Sequence, residues 1–462
     1  FLLIFIYGFL YFIYYKMTSR QVSIRPDNIP SSGNISFKNG FPIISFTIQS
    51  QAGILDPRTI RINGDLNVYR DNLAVPTPPT NEANNPTMDN RLGIYSVFDQ
   101  LVIRHNKSKQ IAEHIRNYGR MMSSMLGVGS SKQSLMSNLG ESCLIMPNQK
   151  TFFDSVIVGA VTGEPTKTRS ASFSAHLSSG FIQSGNLVNL METSFGGIQI
   201  EIHLAPDSQA LYGKDGTADT IADAHYRLSN LSLTCEIADI SSDDMSKMAS
   251  DTSGEMEFMA ITSLYTSVNS TNAQLQYSLG LKGLQSVFMN FCPSSHLNTL
   301  TENGLATTMI SNKLKTQSVF TRIQMLRGGV KYPQEFDIVP NNVDDTGVAV
   351  VDPQVVKMFM DAILPETSAV RSSMSSVNNN RHYTLTSDPT AVAPYTEVPN
   401  GGALYGLGCR YSQYNSGQDF SSEQWGISLE SLLTSDNPVS VFLYFKARSR
   451  LVWNQSGVQL LQ

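Results

Sequence analysis

Along much of this chain apolar and polar residues alternate one by one, the period that sets one face of a β-strand on a core and the other in water. Ile60, Ile62, Leu66 and Val68 alternate with Arg61, Asn63, Asp65 and Asn67, with a bend expected at Gly64. Ile198, Ile200, Ile202 and Leu204 alternate with Gln199, Glu201 and His203, and Ala171, Phe173, Ala175, Leu177 and Phe181 with Ser172, Ser174 and His176. Similar runs at 41–48, 92–104, 152–161, 226–237, 258–266, 275–281, 284–292, 318–326, 403–411 and 438–453 spread strand signals over both halves. Helical spacing is rare. It predicts an amphipathic helix over 107–126, from Ile111, Ile115, Tyr118, Met122 and Met125, and a second from Asp352-Pro353, carrying Val356, Phe359, Met360 and Ile363 and stopping at Pro365.

The 462-residue length exceeds one ordinary core, so two domains are expected. The polar, acidic stretch between Asp239 and Glu257 lacks alternation and divides the chain near its middle. The expected division is a first domain over 17–240, a linker over 241–257 and a second domain over 258–462. A short echo, G-[IL]-x-S-V-F at 93–98 and again at 283–288, suggests a duplication. About eight strands in each half, with helices only in insertions, fit an all-β fold of two tandem eight-stranded jelly rolls, a double jelly roll. Polar stretches at 72–91, 127–142, 205–224, 339–351, 366–401 and 412–424 exceed ordinary loop lengths, so they are expected to face neighbours or solvent in an assembly. In the last strand Phe442, Tyr444, Phe445 and Trp453 occupy both faces, for which burial against another chain is the preferred reading.

Residues 1–15 carry no charge and precede Lys16 and Met17. They are too short for a bilayer span, which needs about 20 apolar residues, and lack the basic start and small-residue cleavage site of a secretory signal. Residues 1–16 are expected to be read-through of AT-rich DNA upstream of Met17 and to lie outside the fold; a membrane anchor is the competing reading. Only 15% of residues are charged and the net charge is -5, which leaves no cationic surplus for coating nucleic acid.

Chemistry is hard to find. Cys143, Cys235, Cys292 and Cys409 form no CxxC pair and read as buried thiols. The seven histidines, His105, His114, His176, His203, His225, His296 and His382, show no ligand spacing beyond His105 and His114, which would lie on a helix approach without Cys or paired carboxylates, and His176 and His203 fall on polar strand faces. No phosphate loop, HExxH or GxSxG occurs, and Gly127–Lys132 reads as a helix stop. Asp345-Thr346-Gly347 matches the short aspartic-protease signature, but its would-be partner Asp251-Thr252-Ser253 departs from it and the tripeptide is common in turns. Arg104, Lys107, Lys109, Arg116 and Arg120 gather near one helix, interrupted by Glu113, and read as a solvated face before a phosphate patch. No catalytic, cofactor-binding or metal-binding residue is therefore expected, and no enzymatic activity.

Several runs carry a family likeness: LDPRTIRINGDLNVYRD at 55–71, IYSVFDQLVIRHNKSKQIAEHIRNYGRMMSSML at 94–126, GGIQIEIHLAP and YRLSNLSLTCEI closing the first half, and LRGGVKYP at 326–333. From Met17 to Trp453 the order of segments resembles the double jelly-roll major capsid proteins of polinton-like viruses and virophages, and more distantly those of adenovirus-type and large DNA viruses. The resemblance implies a structural protein of the virion, assembled inside the host cell, in which three protomers form a pseudo-hexagonal capsomer of an icosahedral shell around double-stranded DNA. Implied partners are further copies of the chain, in the homotrimer and neighbouring capsomers, and penton and minor capsid proteins; sequence-specific nucleic-acid binding and a membrane span are not expected. A bilobed jelly-roll hydrolase releasing glycans, with Asp243-Asp244 or Asp344-Asp345 as carboxylate pairs, and a lectin-like attachment protein are the alternatives.

Overall fold

The computed structural model describes residues 18–30, 33–38, 40, 42–70, 88–89, 92–129, 138–145, 170–212, 224–239, 246, 252–300, 304–305, 320–332, 337–339, 341–343, 349–351, 353–363, 407–411, 417–431, 438–454 and 457–461. The first half contains β1 (Ser19–Ile24), β2 (Ile43–Ile48), β3 (Ile54–Arg70), β4 (Phe98–His105), β5 (Ile111–Arg116), β6 (Ser170–His176), the two-residue β7 (Val188–Asn189), β8 (Ile198–Leu204) and β9 (Ala224–Ala238). The second holds β10 (Gly254–Val268), β11 (Asn272–Tyr277), β12 (Leu284–Pro293), β13 (Phe320–Arg327), β14 (Val330–Lys331), the small hairpin of β15 (Asn341–Val343) and β16 (Ala349–Val351), then β17 (Leu407–Arg410), β18 (Trp425–Ser431), β19 (Val439–Asn454) and β20 (Gly457–Leu461).

The strand order reveals the architecture. In the first half one antiparallel sheet runs β1-β9-β3-β6 and the other β2-β8-β4-β5; in the second they run β10-β19-β12-β17 and β11-β18-β13-β14. Setting aside β7, β15, β16 and β20, each half places its strands as first-eighth-third-sixth in one sheet and second-seventh-fourth-fifth in the other. That is the jelly roll, formed twice, as the alternation led one to expect. Inward side chains fill each sandwich: Ile44, Phe46 and Ile48 with Ile198, Ile200 and Ile202 in the first, and in the second Trp425, edge to face with Phe445 at 4.9 Å between centroids. Register shifts between Asn63 and Asp65, so Gly64 sits in the expected bend; a Cβ there would come within 2.7 Å of Leu231.

Three readings are corrected. The helix expected over 107–126 is a strand, β5, followed by helix α1 (Tyr118–Gly129). A spacing of four, as between Ile111 and Ile115, satisfies both periods, and Asn117, at φ 53°, breaks the strand and turns the chain into the helix. The echo does not mark equivalent positions either: 93–97 form a 3-10 turn leading into β4, the fourth barrel strand of its half, while 284–288 lie in β12, the third of its own. The duplication lies in topology, not in that motif. Finally, β18 was not foreseen, although Trp425, Ile427 and Leu429 alternate inward, because it begins directly after a polar loop. The later expected helix is present as a second long helix, Pro353–Ile363, and the 152–161 run lies outside the described residues.

Candidate functional site

Two barrels without obvious chemistry offer surfaces instead of a cleft, and the first of these is the seam where they meet. It is built around Glu113 of β5, 4% exposed. Its Oε1 accepts the backbone N–H of Gly180 at 3.1 Å and of Ile261 at 2.7 Å, and its Oε2 accepts that of Phe181 at 2.9 Å. Gly180 and Phe181 open a one-turn helix, Gly180–Gln183, whose third N–H, from Ile182, is taken by the capping Ser179 Oγ at 3.0 Å. Glu113 and Ser179 thus satisfy the orphan donors of that turn. Ile261 belongs to β10, so one carboxylate ties an edge strand of the first barrel to an edge strand of the second. Three positions beyond Glu113, the Arg116 N–H is accepted by Ser263 Oγ at 2.8 Å. The two edges are bridged by side chains, which blocks their growth into a continuous ladder. Burial pushes the Glu113 carboxyl above its ordinary range, against the pull of the three backbone donors and Ser179.

Above this clamp, α1 lies on the outer face of the β10-β19-β12 sheet. Tyr444 Oη donates to the Asn117 carbonyl at 2.9 Å, Asn290 Nδ2 donates to the Arg120 carbonyl at 2.5 Å, and the Arg120 guanidinium stands 4.2 Å from the centroid of Phe442. Phe288 and Tyr444 stack in the same layer. At the far ends of β10 and β19, Phe258 meets Phe181 and Trp453 meets Phe195, both edge to face. The second face of β19 is therefore covered by the first barrel of the same chain, which corrects the expectation that another chain buries it.

The remaining sequence candidates disperse. Arg104 pairs with Glu201, Lys107 with Glu192, and Lys109 Nζ donates to Asn106 and Gln199. Arg120, expected on a solvated face, is 2% exposed inside the seam. All four cysteines are buried free thiols; burial pushes that of Cys235 up to about 11 and also raises that of Cys292. Among the described residues no three His, Cys, Asp or Glu side chains gather as a metal site. Asp243-Asp244, Asp344-Asp345, Asp251 and Asp345-Thr346-Gly347 lie outside the described residues. The residue that sequence reasoning missed is Glu113. On a helix it reads as a break in a basic run, whereas on β5 it points into the seam, and its one available signal is its position amid closely spaced apolar residues.

Two of the described histidines hold local structure through their ring nitrogens. His105 Nε2 lies 2.6 Å from the Phe195 carbonyl and its Nδ1 2.7 Å from Ser108 Oγ, while His114 Nε2 lies 2.9 Å from Gln100 Oε1. Burial is the leading cause lowering the pKa of His105, His114 and His176, with nearby Lys107 and Lys109, Arg116, and Arg61 respectively adding to it. A histidine whose folded pKa is depressed adds stability above its unfolded value, here 6.5, and that stability is lost as pH falls through the folded value. The thermal midpoint is expected to fall between pH 7 and pH 5, and differential scanning calorimetry checks it. Glu113 acts oppositely: its raised pKa favours the fold below its unfolded value of 4.5 and ceases to as pH rises through the folded one. In the Glu113→Gln background, which lacks that opposing titration, a midpoint that stays level or rises on acidification to pH 5 would contradict the histidine assignment.

No family model matches the sequence, and no curated protein matches it in sequence. Solved structures do match in shape. The chain is similar to the capsid protein in the quasi-atomic model of the PBCV-1 virus capsid, at 9% identity and a TM-score of 0.52, over 97% of this chain and 97% of that one. It is similar to the Faustovirus major capsid protein at 9% identity and a TM-score of 0.52, over 95% and 91% of the two chains. A chain of the Sputnik virophage structure matches at 10% identity and a TM-score of 0.50, over 96% and 88%. At such identities the likeness establishes the shared double jelly-roll fold.

Proposed function

We propose that this chain is the major capsid protein of an icosahedral double-stranded DNA virus, acting as a structural subunit of the virion and assembling as homotrimers into pseudo-hexagonal capsomers. The observation that carries the reading is that two jelly rolls of identical strand order are locked side by side through a buried seam, with nearly the whole length of the chain matched by capsid proteins of the same fold. Six similar barrels about a threefold axis approximate a hexagon, the shape that tiles a closed shell. The modest net charge of -5 suits a wall protein that does not condense nucleic acid. Neighbouring capsomers, penton proteins and minor capsid proteins are the further partners of this reading. Multi-angle light scattering of the purified chain is expected to give three times its 50.8 kDa mass, and negative-stain images to show hexagonal tiles. A stable monomer, or one that cleaves glycans, would overturn the proposal.

A further inference from the structure

Where β10 begins and β19 ends, the seam between the barrels has a contact of its own, and it is anchored on a histidine. His105 closes β4 and is buried. Its imidazole packs edge to face on Phe195 at 5.2 Å between centroids, and Phe195 meets Trp453 of β19 edge to face at 5.3 Å. The three rings cross from the first barrel into the second. Each ring nitrogen of His105 has a partner that fixes where the proton sits. Nε2 lies 2.6 Å from the Phe195 carbonyl, which can only accept, so Nε2 carries the hydrogen. Nδ1 accepts the Ser108 backbone N–H at 3.0 Å, so it offers a lone pair. Ser108 Oγ accepts the Gln110 N–H at 3.3 Å and stands 2.7 Å from Nδ1, toward which it turns its own hydrogen. The imidazole is therefore neutral, and its bonds tie the turn between β4 and β5 to the segment leading into β8.

A proton on Nδ1 would set one N–H against another, and the bond from Ser108 would be lost. The charges around the ring do not favour the cation. Burial is the leading cause that depresses its pKa below 6.5, Lys107 and Lys109 of its own turn add to it, and the Phe195 carbonyl pulls the other way. Glu192, from the segment before Phe195, is paired with Lys107, and Glu201 of β8 with Arg104. On the second barrel the stack meets Trp453, and the nearby Glu255 and Arg450 pair with each other. We infer that a proton taken up by His105 in mild acid frees Phe195 and opens this end of the seam, making the histidine an acid-sensitive latch between the barrels. An imidazole released into water binds the proton more tightly than the closed one, so acid draws the equilibrium toward the open state. The contact is poised to open, because Trp453 is only half-buried and its indole N–H is buried without a hydrogen-bond partner. Opening gives that donor to water. At Glu113 the sign is opposite, so the barrels stay tethered there. The latch stands on this contact and does not depend on the capsid reading.

Tryptophan emission reads the latch, since the chain has two tryptophans and the other, Trp425, is fully buried in the second barrel. From pH 7 to pH 5 acrylamide quenching of the intact chain is expected to increase, with a midpoint below 6.5 and an unchanged far-ultraviolet circular dichroism spectrum. Trp453→Phe should abolish the increase, which places it at this contact. His105→Gln keeps an N–H for the Phe195 carbonyl and takes up no proton, so its quenching should not vary over the same range. Quenching that stays level in the unsubstituted chain overturns the latch. So does an increase that persists in His105→Gln or in Trp453→Phe, or one that comes only with loss of the circular dichroism spectrum. Nitrogen-15 NMR of the imidazole checks it without any substitution: His105 should be the Nε2–H tautomer at pH 7 and titrate together with the quenching. The other tautomer, or a titration separate from the quenching, would equally overturn the inference.

Discussion

Glu113→Ala is expected to lower the unfolding free energy by about 3 kcal/mol, because it strands two buried N–H groups and a half-buried third, and each unsatisfied donor costs roughly 1–3 kcal/mol. The donors are Gly180, Phe181 and Ile261, and the loss falls on both barrels because Ile261 is on the second. Glu113→Gln keeps one acceptor oxygen but turns an amide NH2 toward an N–H, so it should lie between wild type and alanine. Its carboxyl is already pushed toward the neutral form by burial, so loss of charge is a smaller part of the effect than loss of acceptors. Denaturant unfolding measures the difference, and amide hydrogen exchange at Ile261 locates it. An alanine variant within 1 kcal/mol of wild type, a margin well inside the roughly 3 kcal/mol expected, would remove the clamp from this account.

Gly180→Ala should be comparably severe for a different reason. A Cβ at Gly180 would lie 1.7 Å from the Met259 carbonyl oxygen, and that oxygen is backbone of β10, so no side chain can swing aside. Gly180 is not at positive φ, so the constraint is space at the contact and not the conformational freedom of glycine. Either the short turn that caps onto Glu113 moves away from β10 or the barrels part, and overpacking of this kind costs about 3 kcal/mol or more. The variant should unfold at lower denaturant and become cleavable by protease near the seam while each barrel keeps its strands. Wild-type midpoint and protease resistance would show that the seam is looser than these distances imply.

Much of the fold was legible because alternation in a half-buried strand is a local consequence of burial. Ile198, Ile200, Ile202 and Leu204 could be sorted onto a core face without knowing any partner, and so could Ile60, Ile62, Leu66 and Val68. The signal fails where two periods coincide, as at Ile111 and Ile115, and where a strand carries little apolar alternation, as in β1, which offers Val22 and Ile24 and is otherwise polar. It also says nothing about what covers a second face. Phe442 and Tyr444 announced that β19 was wanted on both sides, but a neighbouring chain and the other half of this one leave the same mark in a sequence.

Alternation and composition alone specify an all-β protein of two strand-rich halves without a recognisable catalytic or metal-ligating pattern, because residue types and their period are local properties. That Glu113 is a clamp and that Arg120 is buried against Phe442 emerges from the packing of the two barrels. Those outcomes depend on which strand edges meet across residues far apart in the chain, and no spacing along a sequence encodes the distance between 113 and 261.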